Sequence, residues 1–96
     1  ASVEGIDGLF LGRGDLAAAL GEPAMDSPKV RSAAERIAAA AKKAGKTICA
    51  VATSVKDAEW LQSVGATFFL LSSDHGFMRR AAKQALSDYA GMRIAR

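Results

Sequence analysis

The chain is predicted to be an α/β protein of three consecutive βα units whose strands lie parallel in one sheet. Three observations carry this expectation. Residues 6–11, 47–52 and 66–71 are apolar runs of strand length. Each is followed by a stretch whose apolar residues recur at helical spacing. The runs are continuously apolar rather than alternating, as in parallel strands covered by helices.

The elements follow in order. Residues 6–11 end at Gly12, and Leu16-Ala17-Ala18-Ala19-Leu20 reads as a helical turn. Residues 21–28 form a loop with Pro23 and Pro28, closing on Ser27-Pro28, a helix cap followed by proline at the first helical position. Val30, Ala33, Ala34, Ile37, Ala41 and Ala44 then mark an apolar stripe, with Lys29, Arg31, Glu35, Lys42 and Lys43 on the other face and Gly45 as the stop. The second run, 47–52, is rich in β-branched residues. Ser54 caps the next helix and Asp57 sits near its positive end, while Ala58, Leu61 and Val64 line one side and Gly65 closes it. After the third run, Ser72-Ser73-Asp74 offers caps for a last helix with apolar positions Met78, Ala81, Ala82, Ala85, Leu86 and Tyr89. Crossovers between the strands are expected to be right-handed. Three parallel strands leave both sheet edges unpaired, so a larger barrel or self-association must cover them.

At 96 residues the chain suffices for one small domain. Half of the residues are apolar and 24% are charged, which excludes a disordered chain. The net charge of +3 comes from basic residues scattered along helices (Arg31, Arg36, Lys42, Lys43, Lys56, Arg79, Arg80 and Lys83), a solvated surface rather than a nucleic-acid groove. No run is long enough to span a bilayer, so no membrane partner is expected. Cys49 is alone in an apolar run, which predicts a buried, inert thiol and a cytoplasmic setting. The chain opens on Ala1 just ahead of a strand, so processing or a cut from something longer is expected.

Asp15 is the leading candidate for chemistry. It follows a strand at the end where parallel α/β folds bind ligands, and Gly12 and Gly14 flank it with bendable backbone and accessible peptide N–H groups. Two readings stand side by side. The carboxylate caps the following turn, or it ligates a hard divalent cation, which takes one or two carboxylates and leaves positions for substrate oxygens. One aspartate cannot hold such an ion alone, and neither Asp7 nor Glu4 is well placed to help. Arg13-Gly14-Asp15 spells an adhesion tripeptide, coincidental at a rigid strand end. His75 reads as a surface residue at a helix start, and Ser72-Ser73-Asp74-His75-Gly76 as a weak anion cradle in which Asp74 opposes an anion. Trp60, on a helix among charges, reads as a packing or interface residue. No Cys/His metal pattern, Walker sequence or dinucleotide fingerprint occurs.

The stretch Gly-Ile-Asp-Gly-Leu-Phe-Leu-Gly-Arg-Gly-Asp from Gly5 to Asp15, followed by Leu16-Ala17-Ala18-Ala19-Leu20-Gly21, resembles the HpcH/HpaI family of metal-dependent 2-oxo-acid aldolases. Ser27-Pro28-Lys29-Val30, Ala44-Gly45-Lys46, Gly65-Ala66-Thr67-Phe68 and Ser73-Asp74 continue the likeness in the same order. The resemblance implies that residues 1–96 are one segment, the C-terminal part of a (β/α)8 TIM barrel whose N-terminal units are absent from this chain. It implies that Asp15 is a metal ligand for Mg2+ or Mn2+, with Co2+ as a third candidate, and that the N–H groups of Gly14 and Asp15 hold the carboxylate of pyruvate. It implies that Val51 is an apolar wall beside the aldehyde portion. The implied reaction is carbon–carbon cleavage of a 4-hydroxy-2-oxo acid to pyruvate and an aldehyde, with the ion drawing charge from the 2-oxo group.

The family's glutamate ligand, its arginine on the oxo group and its histidine base lie upstream of this segment. No catalytic residue is therefore carried over, and the isolated segment is expected to bind metal weakly and to lack aldolase activity. Family assemblies are oligomeric, and a Met78, Ala82, Ala85 and Tyr89 stripe suits packing on a neighbouring subunit or on its own barrel. Arg13 stands where the family usually has proline, and Cys49 where it often has glycine. Arg13 either adds charge beside the carboxylate site or points to solvent. A citrate-lyase or malyl-CoA-lyase relative and a non-catalytic α/β interaction module are the competing readings, the first sharing the Gly-x-x-Asp-Leu element.

Overall fold

The computed structural model describes residues 1–92. Three strands, β1 (Gly8–Leu11), β2 (Thr47–Val51) and β3 (Phe68–Leu70), form a parallel sheet in the order β1-β2-β3. Four helices follow them: α1 (Arg13–Leu20), α2 (Pro28–Lys43), α3 (Val55–Ser63) and α4 (Asp74–Tyr89). This is the expected succession of βα units, with the short turn after β1 extended into a two-turn helix. The outer strands are shorter than their apolar runs. Ile6 lies outside the ladder, where its N–H donates to Val3 O, because an edge strand is ordered only where the central strand pairs it.

Register decides the sheet's two faces. Leu11, Ala50 and Phe69 share one row, and with Ile48 they face a core closed by Ala34, Ala38 and Ala41 of α2 and Leu61 of α3. Alanine at the helix positions lets α2 approach the strands closely, while Leu11, Ile48, Leu61 and Val30 supply the large buried side chains. Phe10, Cys49 and Phe68 form the next row, joined on the same face by Val51 and Leu70. That face is open, with Phe10, Phe68, Val51 and Leu70 all exposed. Cys49 is consequently half-buried on the open face, correcting the expectation of a buried thiol.

The helix boundaries carry the expected chemistry with one exception. Ser54 Oγ accepts from the Asp57 N–H at 3.1 Å, and Ser73 Oγ from the Gly76 N–H at 3.0 Å. Ser27 occupies the cap position of α2 but makes no cap bond, because its hydroxyl donates to Ala24 O at 2.6 Å. Gly45, at φ 67°, ends α2: its N–H donates to Lys42 O and the following Lys46 N–H to Ala41 O.

α4 departs from the others. It carries no buried residue, and its apolar positions Met78, Leu86 and Tyr89 stand in the open. The radius of gyration is 18.2 Å, against about 12.5 Å for a compact chain of this length, and the extents are 68 × 27 × 21 Å. The exposed stripe is the expected Met78, Ala82, Ala85 and Tyr89 face, without cover among the described residues.

One buried charge pair links the first βα unit to the second. Arg13, 5% exposed, donates from Nη1 to Asp57 Oδ1 at 2.8 Å and from Nη2 to Asp57 Oδ2 at 2.6 Å, and Nη2 also reaches Val51 O at 2.8 Å. Of the two expectations for Arg13, the solvent-pointing one is corrected: the side chain is buried and its guanidinium turns to Asp57 of α3. Asp57 also accepts from the Thr53 N–H and hydroxyl. Trp60 closes the apolar side, with Arg31 stacked 4.6 Å from its ring centroid and Arg13 at 6.0 Å.

The Arg13 guanidinium and the Thr53 donors hold the Asp57 carboxyl well below the usual range, at about 2 against 3.8, with burial opposing them. Because the folded-state value is depressed, the stabilisation is complete above about pH 4 and is lost as pH falls toward 2; it is worth about 2 kcal/mol. Asp57→Asn is expected to destabilise the fold at pH 7 by about 3 kcal/mol, since Arg13 then lacks its charged partner. Urea unfolding from pH 7 to pH 2 checks this, and the variant should lose less stability than the wild type between pH 4 and pH 2.

Candidate functional site

The C-terminal ends of β1 and β2 border a cleft of about 290 Å3 in which Gly14, Asp15 and Val51 meet, with Phe10 and Met25 completing its apolar wall. The sheet's parallel sense brings them together. β1 and β2 run in register through Leu11 and Ala50, so the turn after β1 and the last residue of β2 emerge at the same edge.

Asp15 lies in the first turn of α1, exposed, after Gly12 at the cap position. No side chain caps this helix, so the capping reading of Asp15 is not realised. The first intrahelical bond runs from the Leu16 N–H to Gly12 O at 2.9 Å, and the N–H groups of Gly14 and Asp15 precede it, at positions where a helix has no carbonyl to offer them. Their dipoles favour an anion. A carboxylate oxygen and two unpaired peptide donors therefore stand side by side, a pairing suited to a cation and an anionic substrate group together.

Gly12 makes the arrangement possible. A Cβ there would come within 2.9 Å of Asp15 Oδ2, so the aspartate folds back over a backbone that has no side chain. Val51, 39% exposed on the open face, presents its side chain to the cleft while its carbonyl is held by Arg13.

The other candidates lie elsewhere. His75 is exposed on α4, and its N–H is taken by Asp74 Oδ1 at 2.7 Å. Because Ser73 similarly takes the Gly76 N–H, the Ser72–Gly76 segment spends its donors on its own side chains and offers no anion cradle. Among the described residues no three of His, Cys, Asp and Glu converge on one point. Asp15 is the one carboxylate among the described residues that line this cleft, a chemistry suited to one ligand position of a divalent cation. Sequence reasoning missed Met25 and the Arg13–Asp57 pair. Met25 sits in an irregular loop with no periodicity to place it, and residues 13 and 57 are separated by 44 positions that only folding brings together. Among the described residues no helix is long and apolar enough to cross a membrane.

Comparison with known proteins agrees with this geometry in fold and family. The family profile described as HpcH/HpaI aldolase/citrate lyase matches residues 1–81. A 5-keto-4-deoxy-D-glucarate aldolase of Klebsiella pneumoniae is 45% identical over 89 residues, covering 92% of this chain and 34% of the relative. The crystal structure of an HpcH/HpaI aldolase/citrate lyase family protein from Burkholderia cenocepacia superposes with a TM-score of 0.85 at 33% identity, over 94% of this chain and 35% of that one. The citrate synthase SbnG superposes with a TM-score of 0.81 at 28% identity, over 93% and 37%. The chain thus spans about a third of the length of these relatives. Its three parallel βα units have the fold of a fragment of those barrel-like aldolases, and the chain belongs to the HpcH/HpaI aldolase/citrate lyase family.

Proposed function

We propose that the chain is the C-terminal part of a divalent-metal-dependent barrel aldolase that cleaves 4-hydroxy-2-oxo acids to pyruvate and an aldehyde. What supports this reading is the convergence of Asp15, the free N–H groups of Gly14 and Asp15, and the Val51 side chain in one cleft of a member of this family.

In this reading Asp15 provides one ligand to the cation, Mg2+ or Mn2+, with Co2+ as a third candidate. When bound, the cation acts as a Lewis acid on the 2-oxo group. The Gly14 and Asp15 N–H groups hold and orient the pyruvyl carboxylate, aided by the α1 dipole. Val51, with Phe10 and Met25, excludes water from the aldehyde side. The acid–base group and the second carboxylate come from N-terminal barrel units, whose strands would pair the free edges of β1 and β3 and cover the open face at Phe10, Cys49 and Phe68. The uncovered α4 stripe suits packing in a homo-oligomer.

The substrate named by the aldolase relatives, 5-keto-4-deoxy-D-glucarate, is the first to test. The structural likeness to a citrate synthase makes carbon–carbon bond formation on a 2-oxo acid the second reading, at lower identity, 28% against 45%.

The complete polypeptide should release pyruvate in the presence of Mg2+ or Mn2+, measured by coupled reduction of pyruvate, and the 96-residue chain alone should bind Mn2+ weakly and give no appreciable turnover. Full activity in the isolated chain would contradict the shared site. Asp15→Ala in the complete polypeptide should weaken Mn2+ binding by at least about 100-fold, more than loss of an outer partner of a metal ligand costs. Unchanged Mn2+ affinity would remove Asp15 from the site. Gly12→Ala, by displacing the Asp15 carboxylate, should weaken Mn2+ binding by about tenfold while the protein stays folded, as titration calorimetry beside circular dichroism would read.

A further inference from the structure

We propose that Arg13, clamped by Asp57, is a positioning residue that sets where Asp15 and Gly14 stand relative to the end of β2; this rests on the reading of Asp15 as a metal ligand. The backbone alone leaves that relation loose. The β1–β2 ladder ends at the pair Leu11 and Ala50, and beyond it Val51 pairs only toward β3, with Leu70. The next tie across the β1–β2 boundary is a side chain: Arg13 Nη2 donates to Val51 O at 2.8 Å and so continues the ladder by one step.

The helix that carries Asp15 needs such an anchor. α1 has eight residues, too few to hold its shape alone, and its buried residues are Ala17 and Arg13. Ala17 fixes the middle of the helix, and Arg13 fixes its first turn, two residues from Asp15. The clamp is itself rigid. Asp57 receives both guanidinium nitrogens and the Thr53 N–H, while its own N–H is held by Ser54, so the carboxylate is preset by the start of α3. Trp60, under Arg31, walls the guanidinium on its remaining side. A lysine cannot reproduce this, because one ammonium nitrogen lacks the planar fork that serves two carboxylate oxygens and a carbonyl at once.

The test compares wild type, Arg13→Met and Arg13→Lys in the complete polypeptide, the lysine variant serving as the folded comparison if the methionine variant is too unstable. Amide hydrogen exchange at Leu16, whose N–H closes the turn on Gly12 O, is measured beside exchange at Ile48 in the core, together with Mn2+ affinity and kcat and KM for pyruvate release. The expected result is faster exchange at Leu16 with Ile48 unchanged, Mn2+ affinity weakened on the order of 10-fold, and kcat lowered 10- to 100-fold at saturating substrate, since misplacement of about 1 Å costs that much. Wild-type values for Leu16 exchange, Mn2+ affinity and kcat in a folded Arg13 variant would overturn the positioning role. Equally faster exchange at Leu16 and Ile48, with Mn2+ affinity intact, would also overturn it, as loss of a purely structural bridge gives that pattern. Failure of the aldolase reading shows differently, in a wild type that binds Mn2+ no better than Asp15→Ala, and it takes the proposal with it.

Discussion

The Arg13 guanidinium, held between the two oxygens of Asp57 and the carbonyl of Val51, joins three elements that the sheet ladder does not join. It sits at the first turn of α1, at the last residue of β2 and, through Asp57, at the first turn of α3. A buried arginine is tolerated here because its charge is met by a carboxylate that is itself fully hydrogen-bonded, and because the flat guanidinium lies near an aromatic ring. The candidate site is built at the same turn. The guanidinium reaches Asp57 of α3 and the Val51 carbonyl, and Asp15 stands at the cleft that Arg13 and Val51 also line, so one short helix carries the buried cation and the candidate carboxylate two residues apart.

The sheet has a second asymmetry of equal consequence. One face is closed by the alanine-rich side of α2 and by Leu61, and the other carries Phe10, Cys49, Val51, Phe68 and Leu70 in the open. A strand whose residues are apolar on both faces asks for cover on both, and here only one side receives it. Among the described residues the outer edges of β1 and β3 are also unpaired, and α4 carries no buried residue. A span of about a third of the relatives' length accords with those uncovered surfaces.

Most of the local architecture was legible in the residues. The alternation of strands and helices, the parallel sense, the caps at Ser54 and Ser73 and the stop at Gly45 all depend on nearest neighbours or on simple periodicity. The parallel sense accounts for the ends of β1 and β2 meeting at one edge, while Val51 was singled out there by the family resemblance. The burial of individual residues was less legible. Cys49 and the α4 stripe look like core by hydropathy, yet their exposure depends on which face of the sheet or helix finds a partner.

By itself, the sequence determined the fold class, the family resemblance and the carboxylate at the end of β1, since these rest on pattern and local chemistry. The tertiary structure alone decided the place of Arg13. A guanidinium next to two glycines and an aspartate has no preferred neighbour in the sequence. Its partner lies 44 residues away, and the attraction between them becomes large only after the register of β1 on β2 brings α3 beside α1, burying the guanidinium and half-burying the carboxylate.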